Sequence, residues 1–283
     1  MGKIVGSGLL SHAPVIMFPE HMRIEANGGK DFTLATGLKK LRNEVIDQVE
    51  HDTVIVLDSH WETTTEFVVS SHEIRSGKFT SSEMPMLLKQ YPYEFTGDPK
   101  LARAICLETS NQEQWAVGVD DPHLPIQYAT LNLQSYLQKP EQSWISISIC
   151  QTATVEDFLK FGEVIAKAVE ESDRRVLLIA SGGLSHKFHP LLKLRAHMAG
   201  DSKNIVSESA KEADLKRVQW LLEGDHKKVI DEMPEYEQFG PEAGFGHYLT
   251  MVGAIGGRAC QKKAIAYSEY ESGIGTGHIH LWF

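Results

Sequence analysis

The chain reads as a single α/β domain over residues 1–283, with a central mixed or parallel sheet flanked by helices. Three observations carry that reading. Short apolar runs alternate with longer segments of helical period, and no linker, repeat or low-complexity tract divides them. In addition, His12, His60 and His186 each stand just past an apolar run, Ile4–Leu10, Val54–Asp58 and Val176–Ala180 respectively. Open α/β sheets bind their ligands at the carboxyl ends of parallel strands, so the three imidazoles are expected at one sheet edge, as a metal or acid–base site.

In chain order, Lys3–Leu10 is the first strand, and Thr36–Glu50 puts Leu38, Leu41, Val45 and Val49 on one helical face. Thr53–Leu57 returns as a β-branched strand, with Glu66–Ser71 as a further one. Ser76–Asp98 mixes Gly, Pro and Ser with Phe79, Tyr91, Tyr93 and Phe95, which predicts an ordered loop serving as lid or pocket wall. Lys100–Thr109 follows the turn-forming Asp98-Pro99 as a helix, and Asp120–Pro125 is broken by proline. Trp144–Ile149 is a strand, Thr154 caps a helix that aligns Phe158, Phe161, Ile165, Ala168 and Val169, and Val176–Ala180 is the next strand. Helices are expected over Asn204–Glu223, Asp225–Met233 and Phe245–Ile255, then a last strand over Lys263–Ser268. Ser272–Gly277 has the glycines of a phosphate loop, but only six residues follow, so it reads as a terminal turn.

Composition narrows the function. With 42% hydrophobic residues the chain has material for a real core. Cys106, Cys150 and Cys260 are odd in number and contain no CxxC pair, which speaks against a disulfide framework or a thiolate metal site and for a reducing cytoplasm. No stretch approaches a membrane span, and the start lacks a signal-peptide pattern, so no membrane partner is expected. The net charge of −10 repels phosphate backbones and makes nucleic acid an unfavourable partner. It does not exclude an anionic substrate, for which Arg195 and Arg23 are candidate clamps.

Two imidazoles beside one carboxylate, with positions left open, form the facial triad of non-haem Fe(II) oxygenases. His12 precedes Pro14, which turns the chain straight after the imidazole, and Asp58 stands two residues from His60, where it could orient that ring. His186 lies in the turn Ser181-Gly182-Gly183-Leu184-Ser185-His186, whose glycines permit close backbone approach to a ligand. It is either a third ligand or a free acid–base group. Ser185 lacks the second glycine of a nucleophile elbow, which disfavours serine hydrolysis.

At these stretches the chain resembles the class III extradiol ring-cleavage dioxygenases. The resemblance also rests on Ile126-Gln127-Tyr128-Ala129-Thr130, Pro241-Glu242-Ala243-Gly244, Thr80-Ser81-Ser82-Glu83-Met84-Pro85, Met233-Pro234-Glu235-Tyr236 and Gly275-Thr276-Gly277, and so runs nearly end to end. It implies the fold of that family, His12, His60 and Glu242 as ligands of Fe(II), O2 as co-substrate, and His186 as the acid–base residue beside the metal. Tyr128, the second catalytic candidate and a hydrogen-bonding phenol rather than a base, matches a position that is histidine in the protocatechuate branch and tyrosine in the homoprotocatechuate and aminophenol branches. Ala129 departs from the glycine common there. His123 and His247 are candidates for substrate contact, the latter if a helix starts near it.

The implied reaction is extradiol opening of a catecholic ring with O2 to a muconic semialdehyde. Overall likeness favours 3,4-dihydroxyphenylacetate, with an aminophenol or a polycyclic diol as the alternative and Met84, Met86 and Leu87 as an adaptable wall. The implied assembly is a homo-oligomer, with a separate small subunit as the other arrangement. Two rivals use the same residues: a zinc-dependent hydrolase on the same ligands, and a metal-free binding protein on the same scaffold.

Overall fold

Strands buried along nearly their whole length, such as Ser143–Cys150 and Arg175–Ser181, face water on neither side and lie between two helical layers. The computed structural model describes residues 1–111 and 114–283. β1 (Lys3–Leu10) is followed by α1 (Glu20–Ala26), α2 (Thr33–Leu41), β2 (Thr53–Thr63), β3 (Phe67–Ser70), β4 (Ile74–Phe79) and β5 (Tyr91–Thr96). Then come α3 (Pro99–Asn111), β6 (Ala116–Val119), α4 (Tyr128–Leu137), β7 (Ser143–Cys150), α5 (Val155–Glu171) and β8 (Arg175–Ser181). The remainder holds α6 (Leu191–Leu194), α7 (Glu208–Glu223), α8 (His226–Asp231), α9 (Met233–Tyr236) and α10 (Gly246–Ala254). It closes with β9 (Ile265–Ala266), β10 (Glu271–Gly273), β11 (Thr276–His278) and β12 (His280–Trp282).

The result is one α/β domain on a mixed sheet in the order β4-β5-β7-β2-β8-β1-β12-β9. β7, β2, β8 and β1 run parallel at its centre, and β12 is antiparallel to β1. β2, β8 and β1 are the strands that lead to His60, His186 and His12, so their ends are neighbours. Side chains alternate between the two faces with period two. Ile55, Leu57, Val176, Leu178 and Ala180 join the core beneath α5 and α10, whereas Val54, Val56, Leu177 and Ile179 join the one beneath α2 and α4. Each fully buried aliphatic side chain contributes about 1.5–3 kcal/mol, which fixes the register of the central strands. All three cysteines are free, and among the described residues no helix is long and apolar enough to cross a membrane.

Most expected elements are present, with informative differences. Thr154 closes a capping box with Asp157 at the start of α5, as its sequence predicts. The helix expected from Asn204 begins only at Glu208, because the Ser207 hydroxyl accepts from Ala210 N–H and caps it there. The segment Asp225–Met233 divides into α8 and α9, with Pro234 in the first turn of α9, where its missing N–H costs nothing. The helix over Thr36–Glu50 starts at Thr33 and loosens into a π turn over Arg42–Ile46. Within Ser76–Asp98, expected as one ordered loop, β4 and β5 pair antiparallel from Ile74↔Thr96 to Phe79↔Tyr91, and only the stretch between them is a loop. Ser272–Gly277 is the expected turn and closes a hairpin between β10 and β11, with Ile274 and Gly275 at φ 57° and 112°. Lys263–Ser268 contributes just Ile265–Ala266 to the sheet, and β12, which the sequence reading lacks, pairs with β1.

That last strand ties the chain's end to its beginning. Ser11 N–H donates to His280 Nδ1 at 3.2 Å, so the ring proton sits on Nε2, which donates to Leu34 O at 3.0 Å. Burial pushes this imidazole down from 6.5 to about 4. The unfolded chain therefore takes up the proton first, and the stability supported by the neutral ring is present above about pH 6.5 and lost as pH falls toward about 4. Thermal unfolding followed by circular dichroism should show Tm dropping across that window. His280→Gln should lower Tm near neutral pH yet flatten the drop, and an unchanged slope would refute this role for His280.

Candidate metal centre

The site is built from the ends of three neighbouring strands and one strained turn. β1 stops at Leu10, and Ser11 is gripped on several sides: its hydroxyl lies 3.3 Å from Gly182 O and 3.1 Å from Ile279 O, and it accepts from Ile279 N–H at 3.1 Å. His12 follows, buried, before Pro14 opens a 3-10 turn. β2 does not end at Asp58. Its register with β7 jumps from Asp58↔Ser148 to Glu62↔Ile149, so Ser59, His60 and Trp61 form a bulge that re-aims His60. Asp58 does not orient the His60 ring. Its Oδ1 accepts the His60 backbone N–H at 3.0 Å and its Oδ2 accepts from Thr130 N–H and hydroxyl at 3.0 and 2.5 Å, so it secures the bulge to α4.

Glu242 enters from the opposite side. The bonds His186 N–H to Gly240 O and Glu242 N–H to Leu184 O, at 2.9 and 3.0 Å, lace its turn to the segment after β8. Ala243 and Phe245 around it adopt φ of 46° and 63°, a left-handed conformation that costs side-chain-bearing residues about 1 kcal/mol or more each. Glu242 Oε1 then lies 3.2 Å from His12 Nε2, 3.3 Å from His60 Nε2 and 2.5 Å from the Ser59 hydroxyl. Its Oε2 accepts Gly183 N–H at 2.5 Å and stands 3.5 Å from His186 Nδ1. Gly182 and Gly183 make room for the site's own side chains rather than for a ligand: a Cβ on Gly183 would sit 3.0 Å from Glu242 Oε2, and one on Gly182 would strike His247. Tyr128, the first residue of α4, completes the ring with its hydroxyl 2.7 Å from His60 Nε2.

Hydrogen bonding fixes which imidazole nitrogen faces inward. The Ser181 hydroxyl donates to Ala129 O at 3.1 Å, so it accepts from His12 Nδ1–H at 3.0 Å, and Nε2 is the nitrogen turned inward. His60 Nδ1 faces Glu83 Oε1 at 3.1 Å, and a carboxylate only accepts, so that proton too lies on Nδ1. Both Nε2 atoms face Glu242, as donors while they carry a proton and as ligands once a metal takes its place. Burial alone would lower the His60 imidazole, but Glu242 and Glu83 outweigh it and push it up to about 10. Burial likewise opposes ionisation of Glu242, which the surrounding imidazoles nevertheless hold well below the usual carboxylate range. Carboxylates that favour a proton here favour any cation, and a metal that binds displaces that proton.

His12, His60 and Glu242 each offer a donor atom within 4.8 Å of the others. Donors on metal bonds of about 2.1 Å stand about 3.0 Å apart as octahedral neighbours and about 3.4 Å apart as tetrahedral ones, a range that includes the observed 3.2 and 3.3 Å. Imidazole and carboxylate suit iron and zinc alike, so these residues fit a divalent transition metal.

Other expected residues fall elsewhere. His123 is exposed, with its backbone N–H on Asp121, and is not brought to the ring of donors. His247 is fully buried in the first turn of α10 behind Gly182, and burial pushes it down to about 4. Arg23 is committed to Asp31 through paired 2.7 Å bonds and to Phe18 O, which removes it as a substrate clamp, and Arg195 is exposed beyond α6. Sequence reading assigned no role to Ser59, Glu83 or Asp214. Asp214 of α7 is buried and accepts from Ser185 N–H and hydroxyl, Tyr236 and Tyr270 at 2.7–3.1 Å, thereby joining the His186 turn to two other segments.

Known proteins resemble this chain along nearly its whole length. The family described as "Catalytic LigB subunit of aromatic ring-opening dioxygenase" matches residues 6–279. The 3,4-dihydroxyphenylacetate 2,3-dioxygenase of Escherichia coli is 27% identical over 258 residues, 89% of this chain and 90% of that protein. The 2-aminophenol 1,6-dioxygenase beta subunit of a Pseudomonas species is 22% identical over 268 residues, 90% of this chain and 86% of that protein. Among solved structures, an uncharacterised protein of Escherichia coli K12 shares the fold, with a TM-score of 0.64 at 13% identity over 98% of this chain and 99% of that one.

Asp214→Ala would strand four donors, three of them buried, and an unsatisfied buried donor costs about 1–3 kcal/mol. Urea denaturation should show a loss of about 3 kcal/mol or more, against a markedly smaller loss for Asp214→Asn, which keeps one acceptor oxygen. Equal stability of Asp214→Ala and the unaltered chain would remove Asp214 as the tie between these segments.

Proposed function

The chain belongs to the family of catalytic LigB subunits of aromatic ring-opening dioxygenases, which matches it over residues 6–279, and on that premise we propose an Fe(II)-dependent extradiol dioxygenase. In this reading residues 1–283 act as one catalytic domain that opens a catecholic ring beside its diol with O2, giving a muconic semialdehyde. One observation carries it: His12 Nε2, His60 Nε2 and Glu242 Oε1 converge from three directions, with His186 Nδ1 3.5 Å from the other oxygen of the same carboxylate.

His12, His60 and Glu242 would hold the iron, two neutral donors and one anion, leaving the opposite side for ring oxygens and dioxygen. When bound, iron supplies a Lewis acid for the diol and a route for electrons from ring to dioxygen. Every proton falls to the protein. Burial holds the His186 imidazole below its ordinary value, so near neutral pH it is a free base able to take a proton from a ring hydroxyl and return it as the ring opens. Burial pushes the Tyr128 phenol up, so it remains a hydrogen-bond donor and not a base. The Phe79 and Tyr128 rings, 6.4 Å apart, form an apolar wall suited to an aromatic substrate.

The 27% identity to an enzyme named for 3,4-dihydroxyphenylacetate makes that the substrate of first choice, and the 22% identity to one named for 2-aminophenol supplies the second reading. For assembly we favour a homo-oligomer, while the relative named a beta subunit supports a separate partner chain instead.

His186→Ala should keep its iron by metal analysis and lose about 10²–10⁴ of turnover, whereas His12→Ala should lose the metal itself. Full activity in both would overturn the assignment. Oxygen uptake with a panel of catechols, 2-aminophenol and polycyclic diols, read beside the yellow absorbance of ring-opened products, should respond most strongly to 3,4-dihydroxyphenylacetate. Turnover of an ester or amide without oxygen consumption would favour a zinc hydrolase on the same residues.

A further inference from the structure

The two imidazole donors are held in unlike ways. His12 is fixed from within the core by Ser181, which is itself tied to Ala129. His60 is fixed from outside by Glu83, whose side chain is about half exposed and belongs to the loop between β4 and β5. That loop is built to present it. The buried Ser81 hydroxyl accepts from Glu83 N–H at 3.2 Å and Met84 N–H at 3.0 Å, Ser81 N–H donates to Leu88 O, and Met84 and Leu88 pack into the core beneath α2 and α4. We propose that Glu83 is a positioning residue for the metal centre: by accepting the His60 Nδ1 proton it keeps Nε2 as the nitrogen aimed at the metal position, and so makes metal affinity depend on the seating of the β4–β5 loop.

The inference rests on the metal-centre reading above and deepens it. An exposed ion pair on an ordinary surface contributes almost nothing. A carboxylate behind a metal-bound imidazole is different, because it fixes the tautomer and raises ligand basicity, and its loss typically lowers metal affinity about 10–100-fold. The bulge places the other side of His60 against Tyr128 and Glu242, and among the described residues Glu83 is the partner shown for Nδ1.

The test is Co(II) titration of the full chain, stripped of metal beforehand, followed by visible absorption and by proton NMR of the exchangeable imidazole N–H signals. The unaltered chain should bind one Co(II) and show two slowly exchanging signals, from His12 and His60. Glu83→Ala should bind Co(II) about 10–100-fold more weakly and lose one of the two signals. Glu83→Gln, which keeps a neutral acceptor, should fall between them, and circular dichroism should show both variants folded. Affinity and both signals unchanged in Glu83→Ala and Glu83→Gln would overturn the role of Glu83 while leaving the metal centre intact. Failure of the unaltered chain to bind Co(II) would instead overturn the metal reading and this inference with it.

Discussion

A carboxylate sealed from water is tolerated only where donors surround it, and the buried carboxylate of Glu242 is the demand that the rest of the site answers. Its two oxygens meet the Ser59 hydroxyl, Gly183 N–H and three imidazoles, supplied by three stretches of chain: the residues after β1, the β2 bulge and the turn after β8. No single stretch could deliver them. The arrangement exists because β2, β8 and β1 are adjacent parallel strands and because the Glu242 turn is laced to the segment that follows β8. The left-handed Ala243 and Phe245 record the cost of placing the carboxylate there, which the packed surroundings offset.

The same demand explains why the C-terminal residues matter. β12 adds an antiparallel strand beside β1, and Ile279 and His280 fix Ser11 immediately ahead of His12. The turn that carries His186 is bonded to Gly277 on one side and to Asp214 on the other. First-strand and last-strand residues thus share one hydrogen-bonded frame around the donors. Loss of one partner in such a frame leaves buried polar groups unpaired, which makes the frame cooperative.

Much of this was legible in the sequence, for physical reasons that differ from residue to residue. Two-faced apolar strands announce themselves by composition, so β1, β7 and β8 and the histidines beyond β1 and β8 were readable from the apolar runs. The bulge at Ser59–Trp61 was not, since a register slip depends on what the neighbouring strand offers and leaves no local period. Ile274 in a left-handed turn contradicts the usual asparagine-glycine signal, which hid the closing hairpin and β12. Glu242 was beyond reach of spacing among 38 acidic residues and entered only through family resemblance. Glu83 and Asp214 act through long-range contacts that no motif encodes.

The proposed centre is one divalent ion gripped by His12, His60 and Glu242. Crystals soaked anaerobically in Fe(II) and measured on either side of the iron absorption edge put that claim to its most direct test. The account predicts a single strong anomalous peak within bonding distance of His12 Nε2, His60 Nε2 and Glu242 Oε1, about 2.1 Å from each. A fully soaked crystal with no peak there, or with its iron bound at other residues, would contradict it.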